Sequence, residues 1–149
     1  SDGLDMVAPS GEGAERCMNL ALNGFNGKTI DREIIYINGH GTSTPVGDVS
    51  ELNAINYVFK HYKKLPYLTS TKSLTGHSQG ATGVHEIIYT LIMMNNNFIC
   101  GNKNLTKPDG SVGEICIPPN SITDINLETC LSNSFGFGGT NACLVLGKI

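Results

Sequence analysis

The sequence has little of what nucleic-acid-binding and membrane proteins require. Its 149 residues carry a formal net charge of -3, and neither sign of charge is gathered into a run that could follow a phosphate backbone. No stretch approaches the ~20 apolar residues of a membrane-spanning helix, and the first residues lack the basic and apolar regions of a signal peptide. We therefore expect a cytoplasmic protein without a nucleic-acid or membrane partner.

Cysteine is present but not in a paired arrangement. The five cysteines are an odd number and widely spaced, which fits neither a disulfide framework nor a CxxC metal site. Cys17 and Cys100 fall on or beside apolar segments. The other three are interpreted as small core residues: Cys116, Cys130 and Cys143. None of the five lies in a motif typical of a nucleophile.

The length is typical of a single domain, here residues 1–149. Helical and strand-like segments alternate without repeats, which favours an α/β domain. The chain begins at Ser1 rather than at a methionine, and we interpret it as a piece of a longer protein.

Three segments are predicted as helices, at residues 12–22, 48–59 and 78–94. In the second helix, Asp48 and Glu51 form a D-x-x-E start signal, and Glu51 is placed to close a capping box. In the third, we expect an apolar stripe to face the core. That stripe consists of Val84, Ile87, Ile88, Leu91 and Ile92.

Four segments are predicted as strands, at residues 33–38, 67–70, 129–134 and 142–146. The first is a continuous apolar run, typical of a buried strand, and we expect Ile34, Ile35 and Ile37 to be buried. The polar stretches at 95–97 and 102–120 are predicted to be connections, because prolines and asparagines interrupt them.

Three polar, glycine-rich loops follow predicted strands, at residues 40–47, 72–80 and 135–141. In an open α/β sheet, functional groups concentrate at the carboxyl ends of strands. If these strands are neighbours, the loops bring together His40, His77 and Lys72. Each residue alone has a simpler structural explanation, as do Phe135 and Phe137, which suit core packing. Their joint occurrence is what favours a functional site.

Residues 38–48 (NGHGTSTPVGD), 71–77 (TKSLTGH) and 132–141 (SNSFGFGGTN) together resemble the elongating β-ketoacyl-[acyl-carrier-protein] synthases. The resemblance covers nearly the whole chain, and residues 5–13 (DMVAPSGEG) are most similar to the class I enzymes. It implies an α/β fold that is the C-terminal half of a thiolase-like fold, with a mixed sheet flanked by helices.

The family's activity, as the resemblance implies it, is a decarboxylating condensation of malonyl-carrier protein with an acyl-enzyme thioester during fatty acid elongation. The implied partners are the acyl and malonyl forms of the acyl carrier protein, the N-terminal half of the same enzyme, and a second copy in a homodimer. The family's nucleophilic cysteine belongs to the other half. We therefore expect the full-length protein to be an acyltransferase and this chain alone to be inactive.

The resemblance also assigns roles to catalytic residues. His40 and His77 would donate hydrogen bonds to the malonyl thioester oxygen as enolate charge develops there. Lys72 and Glu51 match an active-site lysine and its ion-pair partner. The sequence does not assign the histidine tautomers.

Substrate and ion sites are implied in the same way. Thr42 and Thr44 match positions that hydrogen-bond the pantetheine arm. The N–H of Phe137 matches an oxyanion-hole donor and Phe135 a gate, while Gly138 lets their loop take the required shape. No cofactor is implied beyond a structural Na⁺ or K⁺. The residues matching that ion site are Asn38, Glu86, Ser132 and Asn133.

Two alternatives remain open at this point. Residues 76–80 (GHSQG) match the G-x-S-x-G nucleophile motif of α/β-hydrolases, with Ser78 as the nucleophile. The only later histidine is His85, which we expect to be unable to reach Ser78. The second alternative is a relative that binds carrier protein without condensing. Initiating synthases and thiolases are disfavoured, because they have Asn in place of His77 and Cys in place of Phe137, respectively.

Overall fold

The computed structural model describes residues 6–23 and 33–149, so only Asp5 of the 5–13 motif lies outside the described part. The helices are α1 (Glu12–Asn23), α2 (Pro45–Phe59), α3 (Lys72–Thr75) and α4 (Thr82–Asn96). The strands are β1 (Tyr36–Asn38), β2 (Tyr67–Thr69), β3 (Phe98–Ile99), β4 (Ile122–Thr123), β5 (Thr129–Phe135) and β6 (Asn141–Gly147). Within the described ranges, no helix is both long enough and apolar enough to cross a membrane.

The main sheet has the strand order β2-β1-β5-β6. β1 runs parallel to β2 and to β5, whereas β6 is antiparallel to β5. The predicted mixed sheet is therefore confirmed, and each of its four strands coincides with a predicted one. Because β2, β1 and β5 are parallel neighbours, the loops that follow them emerge at the same edge of the sheet.

A second, two-stranded sheet pairs β3 with β4 in antiparallel fashion and was not predicted. Strands of two residues are too short to show a hydrophobic period. The stretch at 102–120 is largely irregular, as predicted, but it pairs with β2 through Cys116, whose carbonyl accepts the Leu68 N–H at 3.0 Å. The interpretation of Cys116 as a core residue is wrong, because its side chain is exposed beside that edge.

The sheet separates two apolar clusters. On one side, α1 and α2 cover Ile37 and Leu131. On the other, Tyr36 and Cys130 pack against the end of α4 and β3. Successive strand residues point to opposite faces of the sheet, so neighbouring residues of β1 and β5 contribute side chains to different clusters. The buried first strand is confirmed, with Ile34 and Ile37 at 1% and 0% exposure and Ile35 half-buried.

Helix α1 begins as predicted and ends one residue later. Met18 and Leu22 are buried, while Cys17 and Ala21 lie at the margin of the buried face.

Helix α2 begins earlier than predicted. Pro45 is its first residue, and Thr44 occupies the N-cap position with extended backbone. Proline is favoured there because its missing N–H is not needed at a helix start. Asp48 therefore lies inside the helix, where its carboxylate accepts the Ser43 N–H at 3.1 Å. The predicted capping box is wrong, and the carboxylate of Glu51 is free for another role.

Helix α4 follows a short 3₁₀ turn, Gln79–Ala81, and presents the opposite face from the one predicted. The residues that pack inward are Thr82, Glu86, Thr90, Met93 and Met94. Four residues of the expected core stripe are 43% to 63% exposed: Val84, Ile88, Leu91 and Ile92. Ile87 is half-buried.

The physical reason lies at the end of β1. The buried Asn38 amide donates to the carbonyl of Glu86 and to the hydroxyl of Thr90, both at 3.2 Å. The polar side of α4 satisfies this buried amide, as buried polar groups require. The apolar side is consequently turned away from the sheet.

Candidate active site

The two histidines of the predicted site meet at the edge of the sheet. The ring of His40, after β1, lies 5.4 Å from the ring of His77, after α3, in an edge-to-face arrangement at 86°. The ring of Phe135 is 6.0 Å from His40. The prediction that the loops bring His40 and His77 together is confirmed. Phe137, whose side chain is 79% exposed, is not packed in the core.

Glu51 anchors the loop that carries His40. Its two carboxylate oxygens accept the backbone N–H groups of His40 at 2.9 Å and Gly41 at 2.8 Å. The Asn133 amide also donates to it, at 3.2 Å. Burial raises the pKa of Glu51, and these three donors act in the opposite direction. The carboxylate therefore fixes the backbone at His40.

Lys72 pairs with Glu86 rather than with Glu51, so the predicted ion pair is wrong. The Lys72 ammonium and the Glu86 carboxylate are both almost fully buried. Burial raises the pKa of Glu86, and the hydrogen bond and positive charge of Lys72 lower it. Glu51 is unavailable because backbone donors already occupy it. One oxygen of Glu86, Oε2, is buried without a hydrogen-bond partner in the described part of the chain.

His40 is held neutral by its surroundings. Burial, followed by the charge of Lys72 and then by His77, lowers the pKa of His40 to about 4. Near pH 7 its ring is uncharged. A neutral imidazole can present one N–H as a donor and does not repel Lys72.

The tautomer of His77 follows from its neighbours. The backbone N–H of Gln79 donates to Nδ1 of His77 at 3.0 Å, and the hydroxyl of Thr82 lies 2.9 Å from the same atom. A backbone N–H is only a donor, so Nδ1 carries a lone pair and Nε2 carries the proton. The contribution of Thr82 was not predicted, because no motif distinguishes a threonine five residues after the histidine.

The predicted pantetheine residues lie on the loop after His40. The hydroxyls of Thr42 and Thr44 are 3.1 Å apart and accessible. Thr42 also lines a cavity of about 430 Å³ together with Ser70, Lys72 and Lys103. Thr42 and Lys72 therefore line the same cavity, whereas Thr44, His40 and His77 do not line it.

The loop between β5 and β6 has the backbone shape that glycine permits. Gly138 has φ of 71°, in the left-handed region, and its N–H donates to the Met6 carbonyl at 2.9 Å. Gly138 thus allows the turn that carries Phe137, in agreement with the role expected for it.

The four residues of the predicted ion site are all buried. Asn38 and Ser132 are register partners on β1 and β5, and Glu86 contacts Asn38 through its carbonyl. Asn133 instead donates to Glu51 and accepts from the Cys143 thiol. Within residues 6–23 and 33–149, no group of three or more His, Cys, Asp or Glu side chains could hold a metal ion.

The hydrolase motif contains a contact that we had predicted to be impossible. Ser78 Oγ lies 2.8 Å from Nδ1 of His85. Ser78 precedes the helix, and the 3₁₀ turn at Gln79, whose φ is 55°, directs its side chain over the first turns of α4. In the described part of the chain, however, no carboxylate contacts His85 as the third member of a triad would.

The cysteines do not supply a nucleophile at this site. All five are free thiols, and none hydrogen-bonds to His40 or His77. Burial raises the pKa of Cys130 to about 12 and also raises the pKa of Cys17, Cys100 and Cys143. Protonated thiols are poor nucleophiles.

Comparison with known proteins agrees with this geometry. A family model described as the C-terminal domain of β-ketoacyl synthases matches residues 1–106. The 3-oxoacyl-[acyl-carrier-protein] synthase 1 of Haemophilus influenzae is 55% identical over 148 residues, and that of Escherichia coli strain K12 is 52% identical over 149 residues. These matches cover 99% and 100% of this chain, which spans 35% of the length of each relative.

Solved structures show the same fold. The crystal structure of a β-ketoacyl synthase from Burkholderia phymatum matches with a TM-score of 0.89 at 35% identity, over 100% of this chain and 35% of that one. A chain of the AntDE:AntF complex, a ketosynthase with its acyl-carrier protein, matches with a TM-score of 0.84 at 27% identity, over 97% of this chain and 35% of that one. The chain described here therefore belongs to the β-ketoacyl synthase family and contains the C-terminal domain of that family.

Proposed function

We propose that this chain is the C-terminal catalytic part of a 3-oxoacyl-[acyl-carrier-protein] synthase that acts in fatty acid elongation. The observation that carries the proposal is the pair of rings, His40 and His77, 5.4 Å apart at one edge of the sheet. Such a pair suits a reaction in which one oxygen gains negative charge. The 35% share of the relatives' length means that the proposed activity belongs to a longer protein.

In the proposed reaction, a malonyl thioester loses CO₂, and its bonding electrons pass onto the thioester oxygen as an enolate. The N–H groups of His40 and His77 donate to that oxygen, which lowers the barrier because the bonds strengthen as charge develops. The nearby charge of Lys72 acts in the same direction. The enolate carbon then attacks an acyl-cysteine thioester, and the cysteine leaves as a thiolate. That cysteine is proposed to come from outside this chain.

The proposed substrate carrier is the acyl carrier protein in its acyl and malonyl forms. The AntDE:AntF structure, a ketosynthase with its carrier protein, supports this choice. We place the pantetheine arm at Thr42 and Thr44, and assign the Phe137 N–H to the oxyanion of the acyl-enzyme. We assign the gate to Phe135, and the 6.0 Å distance between its ring and that of His40 supports this assignment. A cytoplasmic location suits such a reaction.

The apolar side of α4 is proposed to be covered by the remainder of the synthase. Val84, Ile88 and Ile92 form an exposed stripe along successive turns of this helix. An exposed apolar patch of this kind marks a surface that becomes buried in an assembly. The N-terminal half of the enzyme is the proposed cover, and the homodimer implied by the family resemblance is proposed for the complete protein.

A monovalent cation is proposed at Asn38, Glu86 and Ser132. The unpartnered, buried Oε2 of Glu86 supports it, because a hard cation prefers such oxygens. Asn133 is a poorer candidate, since its amide is engaged by Glu51 and the Cys143 thiol. The ion would supply positive charge that holds these elements together and would take no part in the chemistry.

The test is to replace His40 or His77 by alanine in the complete synthase and to measure the two half-reactions separately. Loss of one oxyanion donor should lower malonyl decarboxylation by roughly 10²–10³. Transfer of the acyl group to cysteine should fall less, because it depends chiefly on the thiol pKa and on backbone donors. His61→Ala, at an exposed position, is the matched control.

Decarboxylation at the wild-type rate in both histidine variants would contradict the proposal. Absence of any acyl-enzyme in the unmodified protein would instead favour a relative that binds carrier protein without condensing.

A further inference from the structure

A continuous series of polar contacts connects His77 to His85, which lies on α4. Nδ1 of His77 is 2.9 Å from the hydroxyl of Thr82, which is 3.2 Å from the hydroxyl of Ser78, which is 2.8 Å from Nδ1 of His85. The Gln79 N–H also donates to Nδ1 of His77, at 3.0 Å. Thr82, at the middle of the series, is 4% exposed.

The direction of every bond in this series follows from counting protons. Nδ1 of His77 is an acceptor because the Gln79 N–H donates to it. The Thr82 hydroxyl must therefore donate its only proton to His77 as well. Thr82 then has only lone pairs for Ser78, and Ser78 must donate to it. Ser78 in turn has only lone pairs for His85, and Nδ1 of His85 must carry a proton. Only this arrangement gives every contact one proton.

We propose that Thr82, Ser78 and His85 are positioning residues that act through His77. They form a one-way relay, from His85 Nδ1–H through Ser78 and Thr82, which fixes His77 as the neutral tautomer with its proton on Nε2. This inference rests on the proposed function, in which His77 Nε2–H donates to the enolate oxygen. His85 is assigned the less common Nδ1–H tautomer.

The relay has two chemical effects on His77. Donors at Nδ1 draw electron density from the ring, which makes the Nε2–H a stronger donor to a developing oxyanion. They also occupy the lone pair that a second proton would need, so that forming the imidazolium would break the bonds from Gln79 and Thr82. These contacts therefore fix the orientation of the His77 ring, with Nε2–H as its donor.

The same proton order bears on the hydrolase alternative. A serine nucleophile requires a histidine that accepts its proton, with the lone pair facing the hydroxyl. In the relay, Nδ1 of His85 donates to Ser78, and the Ser78 proton is directed to Thr82. The 2.8 Å contact between Ser78 and His85 is thus a positioning contact and not an activated nucleophile.

The first test reads the tautomers directly. The complete synthase, labelled with ¹⁵N-histidine, is examined by ¹⁵N NMR, with His85→Asn and His77→Gln used to assign the signals. We expect the proton of His77 on Nε2 and that of His85 on Nδ1. In Ser78→Ala, the His85 signal should change to the Nε2–H form. A native His85 with its proton on Nε2 would overturn the relay, because Ser78 would then be donating to it.

The second test separates positioning from binding and folding. Ser78→Ala, Thr82→Val and His85→Leu should each lower kcat for malonyl decarboxylation by roughly two- to tenfold, as expected for loss of one hydrogen bond. KM should stay the same, since none of the three is placed at the substrate. His85→Asn, which keeps an N–H donor near the Nδ1 position, should restore most of the rate. His61→Leu, at an exposed site, should have no effect.

The outcomes distinguish the relay from the function on which it rests. Unchanged kcat in all three relay variants overturns the relay, and loss of activity in His77→Ala would still support the synthase. Expected tautomers together with an unchanged rate in His77→Ala would support the relay and overturn the synthase assignment. Complete loss of activity in Ser78→Ala alone would overturn the relay in favour of a serine nucleophile.

Discussion

Replacing Glu51 by glutamine tests whether its carboxylate holds the loop that carries His40. The change keeps the size of the side chain but turns one of two acceptor oxygens into an NH₂ group. Both oxygens face backbone donors, the N–H groups of His40 and Gly41. At least one of these N–H groups then meets another donor and loses its partner in a site where Glu51 is only 7% exposed.

The magnitude follows from the bond that is lost. A hydrogen bond to a charged group contributes about 1.5–3 kcal/mol, so Glu51→Gln should destabilise the protein by about 2–3 kcal/mol. Glu51→Ala leaves the same two N–H groups and the Asn133 amide without their acceptor and should cost about 3–5 kcal/mol. Decarboxylation should fall as well, because the backbone at His40 loses its support.

The assay is urea-induced unfolding of the complete synthase, followed by circular dichroism. The control is Glu33→Gln, which removes an exposed pair with Lys64 at 3.4 Å and should cost no more than about 1 kcal/mol. If Glu51→Gln proves no more destabilising than Glu33→Gln, the carboxylate is not the anchor described here. An unchanged decarboxylation rate in Glu51→Ala would also contradict the reasoning.

Two further predictions concern the charges beside the histidines. Lys72→Met should destabilise the protein by about 3–5 kcal/mol, because it leaves the Glu86 carboxylate buried and unpaired, and adding Glu86→Leu should recover most of this loss in the same unfolding assay. The ring signals of His40 should not titrate between about pH 5.5 and 8 in ¹H NMR, because its pKa is lowered to about 4. The unfolded chain takes up this proton below about pH 6.5, whereas the folded chain does not until the pH nears 4. His40 should therefore reduce the stability of the protein as the pH falls from about 6.5 to 4. A titration step of the His40 ring signals near pH 6.5 would refute the assignment.

The strands of the main sheet could be predicted from the sequence because each depends on a local pattern, whereas their order could not. A continuous apolar run forms a strand buried on both sides, as residues 33–38 show with Ile37 at 0% exposure. Polar loops at the ends of parallel neighbours must then meet. This topology places the loops of His40 and His77 at the same edge of the sheet, and the family resemblance implied their chemistry.

The orientation of α4 could not be predicted in the same way. Hydrophobic periodicity identifies the apolar side of a helix but not the surface that this side contacts. Here the buried amide of Asn38 requires polar partners, and Glu86 and Thr90 supply them. The apolar stripe is therefore left exposed in the described part of the chain. A pattern within one segment carries no information about such a requirement in another.

The partners predicted for Glu51 and Lys72 were wrong for a related reason. Opposite charges at matching motif positions suggested an ion pair, and D-x-x-E suggested a cap. Pro45 fixes the start of α2 three residues before Asp48, which leaves Glu51 on the side that faces the backbone of His40. Backbone N–H groups have no signature in a sequence, so their competition for a carboxylate becomes visible only in three dimensions.

The central position of β1 restricts how far the backbone at His40 can move. The strand is bonded to β2 on one side and β5 on the other, and the pairing continues through Gly39, whose N–H donates to the Thr69 carbonyl at 2.9 Å. His40 follows immediately, with its own N–H held by Glu51. Shifting the backbone of His40 would therefore require breaking the hydrogen bonds of Gly39 to Thr69 and of His40 to Glu51. In the proposed reaction, a restrained histidine suits a reactant carried on the pantetheine arm, because the arm can rotate until the thioester meets a position that the protein holds.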